Sequence, residues 1–197
     1  VMNERMKKLR KILYETLVLI LPVMLGVYLG LLANNWNNQK EENKQTEKAL
    51  ENLSQEVKYN HITTEESLDY FKQLRDTIHM LDNRNTLPSS FSFWKGLNPP
   101  LFKNASFRAT FLSGVMSKLD MDLLEKLTGV YELQEDIELQ SNNYTQSITN
   151  KIGEETFTNE KFLIILENYA HDQISAQEQL VKELENLKQT IHEKSEH

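Results

Sequence analysis

The chain has 197 residues, of which 39 % are hydrophobic, and its 22 Lys and Arg against 29 Asp and Glu give a formal net charge of -7. Cysteine is absent, which excludes disulfides, thiol nucleophiles and cysteine metal sites. No basic stripe follows the first eleven residues, so we expect no nucleic acid as a partner.

The first predicted element is an apolar helix behind a basic tail. Residues 1–11 hold five Lys and Arg, and no charged residue lies between Thr16 and Gln39. About 20 helical residues span the roughly 30 Å of bilayer hydrocarbon. We therefore predict a transmembrane helix over residues 12–36. A signal peptide is disfavoured by the poor cleavage site at Ala33, and a soluble core helix by the basic and Asn/Trp flanks.

The residues that flank this helix predict its orientation. Lys and Arg near a span favour the cytoplasmic side, so residues 1–11 form a cytoplasmic tail and residues 37–197 a periplasmic domain on the inner (cytoplasmic) membrane. Arg10, Lys11 and Trp36 are the expected interface anchors.

Small residues on one face of the span predict helix packing. Gly26 and Gly30 form a Gly-x-x-x-Gly pair with Ala33 one step further, and small residues allow two membrane helices to approach closely. We expect this face to contact a partner helix or a second copy of the chain.

Residues 37–83 continue the helix, because they contain no Pro or Gly and carry an apolar stripe at three- and four-residue steps. Polar residues interrupt the stripe at Asn60, His61, Thr63 and Thr64. This interruption predicts either a polar layer that fixes the register of a helical bundle or a ligand pocket near His61.

Residues 84–104 form the one irregular stretch, with three prolines and an aromatic set: Phe91, Phe93, Trp94 and Phe102. Loops of this length usually pack down or bind something. We consider two interpretations, a satellite core that caps the end of the bundle and a partner-binding tip, since aromatic residues often anchor interfaces.

Three further helices complete the chain. A short helix over residues 104–112 ends before Gly114, Asp120 caps the next helix, and Thr158 caps the last. The predicted fold class is all-α: a transmembrane helix continuous with an elongated antiparallel bundle of three long helices plus one short helix.

No motif for chemistry is present. The five histidines lie outside zinc and di-iron spacings, and no glycine loop for phosphate is found. Glu167 and His171 lie one helical turn apart and can touch His61 in a folded bundle, but we interpret them as a hydrogen-bonded surface pair. The sequence predicts no catalytic residue, no metal, no cofactor and no enzyme activity.

Two stretches carry a resemblance. Residues 15–37, which close with Asn34-Asn35-Trp36-Asn37, and the run from Phe107 to Leu119 are similar to the hallmarks of an uncharacterised family of single-span membrane proteins of Bacteroidota, a domain of unknown function. Tyr14 and Pro22 depart from the family pattern. The resemblance implies membrane topology and an envelope location, and it implies no activity.

These observations predict a non-enzymatic accessory or scaffolding subunit of a cell-envelope complex. Its expected partners are the lipid bilayer and other membrane or envelope proteins, or itself as a homo-oligomer. One alternative is a periplasmic ligand-binding or sensory module that signals through a partner, and another is a self-oligomerising spacer or channel.

Overall fold

A computed structural model describes residues 2–83, 91, 93–152, 154 and 157–195. These residues form four α-helices and no strand. The helices are α1 (Met2–Asn83), α2 (Ala105–Leu112), α3 (Met121–Lys151) and α4 (Asn159–Ser195), and a 3-10 helix, η1 (Val115–Lys118), joins α2 to α3. The predicted all-α class, with a long N-terminal helix that packs against later helices, is confirmed.

The chain divides into two compact units, residues 1–46 and residues 47–197. We call them the N-terminal unit and the bundle unit. Helix α1 contributes to both, as the absence of a breaker after residue 36 predicts, and Pro22 lies inside it.

The bundle unit contains two apolar clusters, to which α1, α3 and α4 all contribute. The first cluster comprises Leu50, Leu53, Val57, Leu123, Leu127, Val130, Tyr131, Ile137, Leu180, Leu184, Leu187 and Ile191. The second comprises Leu68, Phe71, Leu74, Ile78, Ile148, Phe162, Leu166, Tyr169, Ala170 and Ile174. The first cluster joins the early residues of α3 to the late residues of α4, so these two helices run antiparallel. The bundle part of α1 begins in the first cluster and ends in the second, as α3 does, so α1 and α3 run in the same direction.

A chain segment with little helix returns between α1 and α3. We call residues 93–119 the return segment. Phe93 and Trp94 pack on the second cluster, whereas Phe107 and Leu119 pack on the first. The segment therefore runs antiparallel to α1. The direction of the chain alternates through α1, the return segment, α3 and α4.

The helix ends follow from local chemistry. The Asp120 carboxylate accepts a hydrogen bond from the Asp122 amide at 3.0 Å, and the Thr158 hydroxyl accepts one from the Lys161 amide at 3.3 Å. Gly114 follows α2 with a φ of 75°, a left-handed conformation that glycine adopts without strain. All three predicted boundary residues are confirmed.

Candidate functional site

The apolar part of α1 exposes its side chains. Every large apolar side chain from Leu13 to Leu32 is 46–73 % exposed. Among the described residues, α1 is the one helix long and apolar enough to cross a bilayer, and none of its most apolar window is buried. A buried core helix would show the opposite, so the structure disfavours that alternative.

The predicted packing face and anchors lie on this exposed surface. A Cβ atom added at Gly26 or Gly30 would meet nothing within 4 Å, and Ala33 is exposed. Arg10 and Lys11 are exposed as well, with the Lys11 amine 3.9 Å from the Glu15 carboxylate. Trp36 is 73 % exposed. Their roles in helix packing and anchoring stay predictions.

The aromatic residues proposed as a tip lie against the core. Phe91, Phe93 and Trp94 are partly buried on the second cluster. The Phe91 and Trp94 rings meet the Phe162 ring edge-on at centroid distances of 4.9 and 5.1 Å. Phe102 packs on the first cluster. This arrangement matches the satellite-core interpretation, and a partner-binding role for these four residues stays a prediction.

Glu56 is a buried carboxylate that holds the return segment on α1. Its side chain accepts hydrogen bonds from the Ser106 amide at 2.7 Å, the Phe107 amide at 3.1 Å and the Tyr131 hydroxyl at 2.6 Å. Asn104, the N-cap residue of α2, makes no side-chain cap. Glu56 therefore satisfies the first amides of α2, where a negative charge is most favourable.

Tyr131 contributes a fixed donor to this contact. Burial raises the pKa of the Tyr131 hydroxyl, and the neighbouring Glu56 carboxylate raises that pKa further. The phenol is therefore neutral near pH 7 and donates to Glu56. Its ring also stacks on that of Phe107 at a centroid distance of 4.0 Å.

Asn60, one helical turn after Glu56, binds the backbone of the return segment. Its amide donates to the Lys103 carbonyl at 2.8 Å, and its side-chain oxygen accepts from the Lys103 amide at 2.8 Å. The Thr64 hydroxyl donates to the Asn60 carbonyl at 2.6 Å. Within the predicted polar layer, Asn60 therefore fixes the position of the return segment, whereas Thr64 binds the backbone of its own helix.

A second group of buried polar residues extends the layer across α3 and α4. The Gln173 amide donates to Gln140 at 2.9 Å, and the Gln177 amide donates to Gln173 at 2.8 Å. The Tyr169 hydroxyl donates toward Ser141 and the Leu97 carbonyl, both at 3.1 Å. This group was not predicted from the sequence, because glutamines on a helix usually face water.

The histidines pair differently from the prediction. His61 lies 3.3 Å from Glu65 and 3.7 Å from Glu185. Glu167 instead contacts His79 at 3.1 Å. Glu167 and His171 do not form the predicted surface pair, because His171 lies 3.7 Å from Asp172 instead. Neither residue contacts His61, which faces the C-terminal half of α4. Across the described residues, no three His, Asp or Glu side chains are placed to hold a metal ion.

An apolar groove, which we call the α2 groove, lies between α2, η1 and the start of α3. It has a volume of about 640 Å³, and Phe107, Phe111, Leu112, Met116 and Leu124 line it with Arg108. Phe111 is 66 % and Leu112 80 % exposed. The groove was not predicted from the sequence, although Phe111 and Leu112 lie side by side in a short helix that cannot bury both.

No family model, no curated protein and no solved structure matches this chain. The resemblance to the single-span family of Bacteroidota therefore stays a prediction, carried by residues 15–37 and 107–119.

Proposed function

We propose that this protein is a non-enzymatic single-pass membrane protein that serves as an accessory or scaffolding subunit of a cell-envelope complex. One observation carries the proposal: every large apolar side chain from Leu13 to Leu32 is exposed in one uninterrupted helix. In water, such surface is unfavourable by about 25 cal/mol for each Å². In a bilayer the same surface is solvated by lipid tails, which makes the lipid bilayer the first partner.

Charge at the two ends of the span supports one orientation. Five basic residues precede residue 12, whereas the first basic residue after the span is Lys40, followed at once by Glu41 and Glu42. On this distribution the N-terminal tail lies in the cytoplasm, and the bundle unit lies in the periplasm on the inner membrane.

The Gly26, Gly30 and Ala33 face supports docking of a second membrane helix. The space beside both glycines is open, so a neighbouring helix can approach their backbone closely. That helix belongs to another membrane protein or to a second copy of this chain.

The test is to solubilise the protein gently from its native membrane, separate it by size and identify co-migrating proteins by mass spectrometry. We expect a stoichiometric partner, which Gly26→Leu and Gly30→Leu together release. Met24→Leu, on the opposite face of the helix, is the matched control and should retain the partner.

A complex that survives both glycine substitutions contradicts docking through this face. A lone monomer in the wild type contradicts the accessory role and makes ligand binding by the bundle unit the next hypothesis. Release of the protein from membranes by alkaline carbonate contradicts the span itself.

A further inference from the structure

The return segment differs in charge from the rest of the bundle unit. Residues 93–119 contain four Lys and Arg and no Asp or Glu, whereas the other residues of 47–197 contain 25 Asp and Glu against 11 Lys and Arg. The segment therefore carries a net positive charge, whereas the rest of the bundle unit is net negative.

One of these basic residues lies at the apolar surface described above. Arg108 lines the α2 groove beside Phe111 and Leu112. Within the described part of the chain, no carboxylate forms an ion pair with Arg108, unlike Lys126, which pairs with Asp122 at 2.8 Å. An unpaired guanidinium at the edge of an apolar groove favours an occupant that brings its own carboxylate.

Contacts with the bundle core fix the two elements that form the groove, α2 and η1. Glu56 fixes the first turn of α2 through the Ser106 and Phe107 amides. Val115 and Met116 are buried and anchor η1. Because these contacts exist before any partner binds, little ordering is required on association.

We propose that the α2 groove docks an amphipathic helix of a partner protein, with carboxylates beside its apolar face. Apolar side chains from adjacent turns of that helix enter the groove between Phe111 and Leu124, and a carboxylate pairs with Arg108. The inference rests on the proposed function, for which it supplies a second contact outside the membrane and the chemistry of the partner.

The experiment uses the full chain in nanodiscs of zwitterionic lipid. Two fluorescent 18-residue amphipathic peptides share one leucine face, and their polar faces carry either glutamate or lysine. Fluorescence anisotropy should show the glutamate peptide binding about tenfold more tightly than the lysine peptide, since complementary charge beside a shared apolar face contributes on that scale.

Variants separate the contributions. Phe111→Ser should weaken binding of the glutamate peptide about tenfold, and Arg108→Glu should reverse the preference between the peptides. Leu139→Ser changes a side chain that is 59 % exposed on α3 outside the groove, so it serves as the matched control and should bind like the wild type.

The proposal is overturned if neither peptide binds, if both bind equally, or if Phe111→Ser leaves binding unchanged. Self-association that Phe111→Ser abolishes would assign the groove to a second copy and overturn it as well. Failure of the proposed function can be told apart from failure of the groove proposal. The function is tested by the effect of Gly26→Leu and Gly30→Leu on the complex in the native membrane, and neither substitution lies in the groove.

Discussion

The two units use apolar side chains in opposite ways, although one helix runs through both. In the N-terminal unit, apolar residues surround α1 on every side from Leu13 to Leu32 and are exposed. In the bundle unit the same helix carries one apolar stripe, and that stripe is buried. A helix that is apolar on every side needs an apolar environment all round, whereas a helix with one apolar stripe can bury that stripe against another helix. The proposed membrane span accounts for this difference.

The largest expected effect is loss of a core side chain from the bundle unit. Phe71 is fully buried and meets Tyr169 edge-on at 5.2 Å. Phe71→Ala leaves a cavity, so we expect the free energy of unfolding to fall by about 3–5 kcal/mol. Denaturant unfolding in mild detergent measures this value.

Leu19→Ala in the N-terminal unit is the control, because Leu19 is 73 % exposed. It should leave unfolding of the bundle unit unchanged. An equal loss of stability from both substitutions would contradict the contrast between the units.

A charge in the middle of the apolar part of α1 tests the N-terminal unit of this comparison. Leu25→Arg should disfavour membrane insertion by about 3–4 kcal/mol, because arginine at the centre of a span is costly. Carbonate extraction and flotation measure the membrane-bound fraction. Leu139→Arg, at an exposed position on α3, should remain fully bound, and equal behaviour of the two variants would contradict the span.

Periodicity was enough to predict the helices. The stripe on α1 and the end signals at Gly114, Asp120 and Thr158 act within a few residues, so the sequence displays them directly. The path of residues 93–119 could not be predicted in the same way. It depends on contacts between Glu56 and Ser106, and between Asn60 and Lys103, which lie 50 and 43 residues apart.

One signal for that path was nevertheless present. Glu56 lies three residues after Leu53 and four before Asn60, so it falls on the apolar stripe of α1 where a carboxylate needs a partner. The partner, the first amides of α2, became evident only in the folded chain. For the α2 groove, the adjacent Phe111 and Leu112 were the one signal, and its full shape could not be predicted because its walls come from three separate elements.

The Glu56 contact gives the third prediction. Glu56→Ala leaves the Ser106 and Phe107 amides and the Tyr131 hydroxyl without their acceptor, so we expect a loss of about 3 kcal/mol in stability. Glu56→Gln retains one acceptor oxygen and should lose less. Hydrogen exchange should become faster in α2 and remain unchanged in residues 13–32. Equal exchange in wild type and Glu56→Ala would contradict this role.

The smallest effect concerns the stability of the bundle unit at alkaline pH. Burial raises the pKa of the Tyr169 hydroxyl to about 12 from its ordinary value of 10.0. Because the folded pKa is the higher one, the neutral phenol stabilises the bundle unit fully below pH 10, and this contribution is lost as the pH rises through 12. We expect a loss of about 2 kcal/mol from this group at pH 12.

Denaturant unfolding measures the free energy of unfolding at pH 9 and pH 12. The drop in this free energy between the two pH values should be smaller by this amount in Tyr169→Phe, because phenylalanine has no proton to lose. Tyr169→Phe also removes the hydrogen bond to Ser141, so the variant is less stable at both pH values. The difference between them is therefore the decisive quantity, and the same drop in both proteins would mean that Tyr169 ionises as readily in the folded bundle unit as in the unfolded chain.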